Sequence, residues 1–353
     1  MLKKKTILVA PLYWGLGHAT RCIPIIKALI DSNYKVLLAS DGAALLLLQK
    51  EFPYLGSVEL PSYHINYPKK GNLFKWNMLL KLPTILKAVS SEKKIIDQLV
   101  SKGNIDGIIS DNRFGVRSYK IPSVYMTHQL NVLTGSTSYL SSKIHQKIIA
   151  KFDECWVPDT DGENNLSGKL GHILSPKFKI KHIGLLSRMK KNIVPKEYDI
   201  LLLLSGPEPQ RSLLEEKLIV LFKGTNQKVL LIQGCVENEQ KINQLDNITH
   251  YNFMLSNELE VAINKSEIIL SRSGYTTIMD MAVLEKKVFF IPTPGQYEQE
   301  YLAKRLKDLK IVPSSLQDKF TLEKLKDVDL YNGFKIKKQI MNYKDLFCLF
   351  ERE

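Results

Sequence analysis

Short runs of β-branched or Leu-rich residues recur along the chain, separated by longer stretches in which apolar positions return with helical spacing. In the first half the runs are Thr6–Ala10, Lys35–Ala39, Gly107–Ser110, Ser123–Thr127, Cys155–Val157 and Lys181–Ile183; in the second half they are Asp199–Leu204, Lys228–Ile232, Ile268–Ser271 and Val288–Ile291. Continuous apolar runs, rather than alternation, mark strands covered on both faces, as in parallel sheets flanked by helices. The pattern predicts an α/β protein with two doubly wound parallel-sheet domains, residues 1–185 and 199–330. Between them residues 186–198, with Met189-Lys190-Lys191-Asn192 and Pro195, are polar and aperiodic and read as a linker. Residues 331–353, with Ile336, Ile340, Leu346 and Phe350 at helical spacing, are expected to form a helix that packs back on the fold. Two such domains in tandem are expected to face a cleft, with chemistry in the loops beyond the carboxyl ends of the strands.

Composition narrows the class. A chain of 353 residues with 44% apolar and 24% charged residues is long enough for two cores and is not disordered. The apolar run after Lys3-Lys4-Lys5 is too short for a secretory signal and enters a Gly-containing loop; no stretch reaches the roughly 18 apolar residues of a membrane span. Cys22, Cys155, Cys235 and Cys348 are far apart and the seven histidines are scattered, so neither a disulfide framework nor a zinc site is expected, and the cytoplasm is the expected compartment. Charge is lopsided: residues 1–185 hold 25 Lys and Arg against 13 Asp and Glu, net +12, whereas residues 186–353 hold 25 against 23, net +2. An excess confined to one half points to an anionic partner there.

The first loop with chemical content is Pro11-Leu12-Tyr13-Trp14-Gly15-Leu16-Gly17-His18-Ala19-Thr20-Arg21, between the first strand and the helix Ile23–Ile30. Gly15 and Gly17 permit a tight turn, His18 has a side chain that titrates near neutrality, and Arg21 lies one turn further on. His18 is either a base aimed into the cleft or a residue that only caps the helix. The second loop is Ser271-Arg272-Ser273-Gly274-Tyr275-Thr276-Thr277-Ile278-Met279-Asp280, where an apolar strand gives way to a helix opening on two hydroxyl residues. A diphosphate would sit on that helix N-terminus, and Asp280, one turn beyond Thr276 and Thr277, lies where a carboxylate can accept from ribose hydroxyls. The alternative is N-capping by Ser273 or Thr276 with Asp280 solvated. The third is Pro292-Thr293-Pro294-Gly295-Gln296-Tyr297-Glu298-Gln299-Glu300, whose amides and carboxylates suit sugar hydroxyls.

These loops resemble the family 28 glycosyltransferases. Ser273-Gly274, Thr277 and Asp280 are similar to that family's Ser-Gly-x-x-Thr-x-x-Glu donor motif, with Asp for Glu. Gln299-Glu300 falls where the family has the Gln-Gln pair that reads the donor sugar. Ser205-Gly206-Pro207-Glu208-Pro209-Gln210-Arg211 takes the place of the Gly-rich phosphate loop with fewer glycines, so Gln210 and Arg211 stand in for backbone contacts. Thr127-His128-Gln129-Leu130-Asn131 resembles the His-Glu-Gln-Asn loop near the acceptor, with Gln129 for Glu, and His18 matches the proposed general base. The resemblance implies the GT-B fold of two Rossmann-like domains. It also implies a metal-independent, inverting transfer from a UDP-sugar, with no cofactor, to a sugar- or lipid-linked acceptor. It places donor contacts at Ser205, Gly206, Gln210, Arg211, Arg272, Ser273, Gly274, Thr276, Thr277, Asp280, Gln296, Gln299 and Glu300, and acceptor-side contacts at Gly15, Gly17, Arg21, His128, Gln129 and Asn131. Gly15-x-Gly17-His18-x-x-Arg21-Cys22 is also similar to the UDP-sugar hydrolases of pseudaminic acid synthesis, which share the fold and pass the sugar to water. Transferase, hydrolase and non-catalytic nucleotide-sugar binder therefore stand as three readings.

Basic and aromatic residues interleave from Tyr67 to Leu82, with Lys69, Lys70, Lys75 and Lys81 beside Phe74 and Trp76. Such a segment suits an anionic membrane surface, which would place the protein on the inner face of the membrane. No nucleic-acid-binding motif accompanies the charge, so nucleic acid is not an expected partner. Asp159-Thr160-Asp161 and Asp327-Val328-Asp329 are read as a turn and a Lys-rich surface stretch, not as metal triplets.

Overall fold

The computed structural model describes residues 4–64, 74–163, 165–335 and 342–351, and no side chain between 74 and 81. The chain divides into two compact units, one of residues 1–65, 78–186 and 339–353 and one of residues 66–77 and 187–338.

The first unit contains β1 (Thr6–Pro11), α1 (Gly17–Asp31), β2 (Lys35–Ser40), α2 (Gly42–Glu51), β3 (Gly56–Glu59), α3 (Phe74–Ser101), β4 (Gly107–Asp111), β5 (Ser123–Met126), α4 (Ser138–Ile149), β6 (Glu154–Val157) and β7 (Ile180–His182). Its seven strands lie in the order β3-β2-β1-β4-β5-β6-β7, every pair parallel. The reversal of direction beside β1 puts the ends of β1 and β4 side by side, with Pro11 opposite Asp111. The central strands are apolar because helices cover both faces: Ile7, Leu8, Val9, Ile108, Ile109, Val124 and Tyr125 are buried. β3 escaped the sequence reading because Gly-Ser-Val-Glu at an edge is mostly exposed and carries no apolar run.

The second unit contains β8 (Tyr198–Leu203), α5 (Gln210–Phe222), β9 (Val229–Ile232), β10 (Ile242–Leu245), β11 (Ile248–Tyr251), α6 (Ser256–Asn264), β12 (Ser266–Ser271), α7 (Tyr275–Leu284), β13 (Lys287–Phe290) and α8 (Tyr297–Asp308). Its order is β10-β11-β9-β8-β12-β13, parallel except for the β10–β11 hairpin, so the predicted purely parallel sheet carries one antiparallel edge strand. All four residues of β10 are exposed, and the run Ile-Asn-Gln-Leu gives no strand signal. Residues 187–196 do not hang as a spacer but are strapped to this unit. Lys190 N bonds Glu260, Asn192 N bonds Asn264 Oδ1 at 3.0 Å, and Lys196 Nζ bonds the Asn264 carbonyl at 2.8 Å.

Residues 342–351 return to the first unit as a short helix, Tyr343–Phe347, followed by a 3-10 turn, Cys348–Glu351. Phe347 and Phe350 are buried against Trp156, with ring centroids 6.3 and 6.2 Å away, and Lys5 Nζ bonds the Phe350 carbonyl at 2.7 Å. The single helix expected over residues 331–353 is not what forms: residues 331–335 are non-helical, Leu346 and Phe350 are buried on the short helix and the 3-10 turn, and Ile336 and Ile340 lie outside the described residues.

Candidate functional site

In the first unit the site begins where β1 turns into α1. Gly15 adopts φ of +82°, a conformation that a side chain disfavours, and the chain then enters α1 at Gly17 with His18 in the first turn. His18 is not a cap, since the position before α1 is Leu16 with no side-chain capping bond. Its Nδ1 instead lies 2.8 Å from Oδ1 of Asp111, the last residue of β4. Asp111 is buried and gripped by Arg21, whose Nε donates to Oδ2 at 2.6 Å and whose NH2 donates to Oδ1. The Cys22 thiol points at the same Oδ2 at 3.6 Å; burial and then the Asp111 carboxylate push its pKa up, so it stays a thiol and a donor. Burial alone would raise the Asp111 pKa, but Arg21 and His18 hold it well below the usual carboxylate range. Arg21 NH2 also lies 2.9 Å from Nδ1, so that nitrogen faces both an ionised acceptor and a donor; in the tautomer that donates to Asp111, Nε2 is the nitrogen left with a lone pair.

Arg21, expected to meet a ligand anion, therefore has the protein's own anion as partner. Its NH1 also lies 2.7 Å from Nδ1 of His128, which makes that nitrogen an acceptor and puts the His128 proton on Nε2. Of the acceptor-side residues named from sequence, Arg21 and His128 thus join His18 in one cluster, and Gly15 and Gly17 lie in the turn that leads into it. Gln129 bonds back on its own turn, its N–H to Thr127 Oγ1 at 3.0 Å. Asn131 is elsewhere, its Nδ2 holding the carbonyls of Lys169 and His172 at 2.6 and 3.3 Å.

Asp111 carries the cluster, yet Ile-Ile-Ser-Asp-Asn has no motif; the available signal was a carboxylate directly after the predicted strand Gly107–Ser110. Next to it, Arg113 is fully buried between Asp41 and Glu92, with NH1 to Glu92 Oε1 at 2.8 Å and Nε to the Pro11 carbonyl at 3.0 Å. That network ties the ends of β1, β2 and β4 together and was also missed.

In the second unit the site is built from backbone. β12 ends in Ser271, and α7 starts after Gly274 with no side-chain cap. The capping alternative fails because the Ser273 hydroxyl donates to the Gln299 carbonyl at 2.9 Å instead. A Cβ on Gly274 would meet nothing within 4 Å, so the chain is open to space at the residue where α7 begins. Thr276 and Thr277 are half-buried in that first turn. Asp280, one turn on, is not a solvated residue: it is buried, Ser187 Oγ donates to its Oδ1 at 2.6 Å, and burial pushes its pKa up to about 6 against the opposing pull of Arg188 and Ser187.

Four expected donor contacts have other work. Arg272 is buried and donates to the carbonyls of Ile291, Pro292 and Gln210 at 3.2, 3.1 and 2.7 Å and to Gln317 Oε1 at 2.8 Å, so it pins loops instead of meeting a diphosphate. Arg211 is paired with Glu208 and Glu215. Gln299 Oε1 accepts from Thr293 N at 2.8 Å and Glu300 Oε1 from Gly295 N at 2.9 Å, so both shape the 293–296 turn. Gln296 precedes α8, and its buried Oε1 lacks a hydrogen-bond partner. The Ser205–Arg211 loop turns at Gly206, with φ of +107°, and Gln210 is held by Arg272 through its carbonyl.

The scattered histidines are not all apart in space. His172 and His182 come together with Asp161, contrary to the expectation that no zinc-type cluster exists. No helix among the described residues is long and apolar enough to cross a membrane.

Residues 207–344 match the Glycosyltransferase family 28 C-terminal domain, a stretch that contains the Ser273–Asp280 and Gln296–Glu300 loops. Among characterised proteins, the chain is similar to the UDP-N-acetylglucosamine–N-acetylmuramyl-(pentapeptide) pyrophosphoryl-undecaprenol N-acetylglucosamine transferase of Haemophilus ducreyi, at 22% identity over 235 residues. That stretch is 64% of this chain and spans 62% of the relative's length. Among solved structures it resembles the glycotransferase of kitacinnamycin, with a TM-score of 0.62 at 12% identity over 94% of this chain and 90% of the other. It also resembles MurG of Acinetobacter baumannii, with a TM-score of 0.52 at 15% identity over 93% and 90%. The fold is the GT-B fold of the glycosyltransferases, as the family resemblance implies.

Proposed function

We propose, for a chain whose residues 207–344 are a family 28 C-terminal domain, that it transfers a sugar from a UDP-sugar or related nucleotide sugar to a hydroxyl acceptor, with inversion and without a metal at the reacting centre. The observation that carries the reading is the His18–Asp111 pair, whose carboxylate Arg21 holds in place. His18 Nε2 takes the proton of the acceptor hydroxyl as its oxygen bonds to the anomeric carbon. The bond from that carbon to the diphosphate oxygen breaks, and the electron pair leaves with the diphosphate. One displacement from the opposite face inverts the centre. The charge that develops on the diphosphate is met by the N–H groups and dipole of α7 and the hydroxyls of Thr276 and Thr277, with Asp280 accepting from the ribose.

The acceptor we favour is sugar- or lipid-linked, approached from an anionic membrane surface by the basic first unit. The segment invoked from sequence, Tyr67–Leu82, lies largely outside the described residues. Support comes from α4, where Tyr139, Leu140 and Ile144 are exposed beside Lys143 and Lys147. A second reading, hydrolysis, is favoured by one observation: His18, Arg21 and Cys22 of the hydrolase-like motif all converge on Asp111, and the same base can activate water. Incubation with UDP-sugars, with and without membrane lipid extract, separates the two. Lipid-dependent product of inverted configuration is expected; free sugar at full rate without extract would move the assignment to hydrolysis.

A further inference from the structure

Beyond β6 the chain closes a loop around Asp159, whose buried carboxylate accepts from the backbone N–H of Thr160, Leu166 and Ser167 at 2.8, 3.0 and 2.8 Å and from the Ser167 hydroxyl. This is the turn expected at Asp159-Thr160-Asp161. It accounts for Asp159 but not for Asp161, which stands at the outer edge of the loop with its side chain 81% exposed. There it meets two histidines that the sequence keeps apart. His182 ends β7, and its Nε2 lies 3.2 Å from the Gly171 carbonyl, so that nitrogen carries the proton and Nδ1 keeps a bare lone pair, 3.7 Å from Asp161 Oδ1. A ligating histidine usually has its far nitrogen fixed by such a backbone carbonyl. His172 has its Nε2 buried without a hydrogen-bond partner, the nearest carboxylate being Asp159 Oδ2 at 3.6 Å. One ligand atom from each of Asp161, His172 and His182 falls within 4.8 Å of the others.

We propose that Asp161, His172 and His182 bind a zinc-type divalent cation that clips the β6–β7 edge of the first sheet. Two imidazoles and a carboxylate are the donor set that borderline cations such as Zn²⁺ prefer over Mg²⁺ or Ca²⁺, and three protein ligands leave the fourth tetrahedral position for water. The rings of His172 and His182 lie face to face, centroids 4.6 Å apart and planes within 10°. A shared ion must lie in the plane of each ring, so one ring turns on loading. His182 is pinned by Gly171, whereas His172, whose Nε2 makes no hydrogen bond, is the one that turns. The bound ion joins the 159–172 loop to the end of β7. It reaches the 127–131 loop as well, because Asn131 Nδ2 holds the His172 carbonyl. This site is separate from the reacting centre proposed above and needs no metal there.

The test is calorimetric titration of the full, chelator-stripped chain with Zn²⁺, followed by metal analysis of the dialysed protein. About one ion per chain is expected, with affinity reduced at least ~10-fold in Asp161→Ala and in the His172→Ala, His182→Ala double variant, and unchanged in His250→Ala. Zn²⁺ should raise the melting temperature of the wild type and not that of the double variant, whose metal-free melting temperature should match the wild type. With Co²⁺ in place of Zn²⁺, a tetrahedral visible spectrum should appear and vanish in the same variants. Absence of stoichiometric binding, or binding that survives both sets of substitutions, overturns the proposal.

Discussion

The two units build their sites by opposite means. The first uses side chains: a buried carboxylate, a guanidinium and two imidazoles, each fixed by another, at the ends of β1 and β4. The second uses main chain: an uncapped helix end after Gly274, around which Ser273, Gln299, Glu300 and Arg272 are turned inward to hold loops in place. A side-chain cluster concentrates chemistry in one or two atoms, so single substitutions should be nearly all-or-none for rate. A backbone cradle spreads affinity over several N–H groups, so its substitutions should be graded and should act on binding.

The largest effect should come from breaking the pair. His18→Ala and Asp111→Asn should each lower turnover by about 10²–10⁴-fold while the nucleotide dissociation constant stays within a few-fold of wild type. Loss of both together, with the fold intact by circular dichroism, would show that His18 contacts donor phosphates. A smaller effect is expected where the backbone opens. Gly274 has ordinary φ of −68° and space for a Cβ, so Gly274→Val should leave the melting temperature unchanged yet weaken nucleotide binding by about 1–3 kcal/mol in calorimetry. Unaltered affinity would move the diphosphate away from α7.

Asp280 should give a pH-dependent effect of intermediate to small size. Folding raises its pKa from 3.8 to about 6, so the folded state holds the proton more tightly. This carboxyl's contribution to stability is therefore fully present below about pH 4 and is lost as pH rises through about 6. Ribose binding needs the ionised acceptor, so affinity should move the other way and fall as pH drops through about 6. Asp280→Asn should flatten both slopes; if the affinity slope persists in the variant, a histidine is responsible. The smallest effect is at the surface. Neutralising Lys69, Lys70, Lys75 and Lys81 should release the protein from anionic vesicles at low salt, each charge being worth about 1 kcal/mol or less. Co-sedimentation that survives this change would place the contact on α4.

Much of this was legible in the sequence because buried parallel strands advertise themselves. Ten apolar runs fall on ten of the thirteen strands among the described residues, and the loops after β1, β8, β12 and β13 carry the Gly- and hydroxyl-rich signatures that the resemblance uses. The edge strands β3, β10 and β11 were not legible, since exposed or half-exposed edges need no apolar run. Asp111, Arg113 and Glu92 were not legible for a different reason. Their meaning lies in partners 21 to 102 residues away in sequence, and no local spacing encodes such a pairing. Arg272 misled in the converse way: its position in the motif suggested a cation for phosphate, but full burial obliges its donors to find carbonyls nearby.

The return of residues 342–351 to the first unit sets an order of assembly. On a ribosome the first sheet is synthesised, and the whole of residues 187–338 follows, before Phe347 and Phe350 emerge to cover Trp156 and the backbone at Gly107, where an added Cβ would lie 2.6 Å from the Phe350 ring. Until then an indole and the strand floor beside it wait uncovered, exposing apolar surface of the kind that recruits chaperones or neighbouring chains. The unit synthesised first is thus completed last. A fragment ending at residue 186 should aggregate, and supplying residues 339–353 as a separate peptide should restore its solubility.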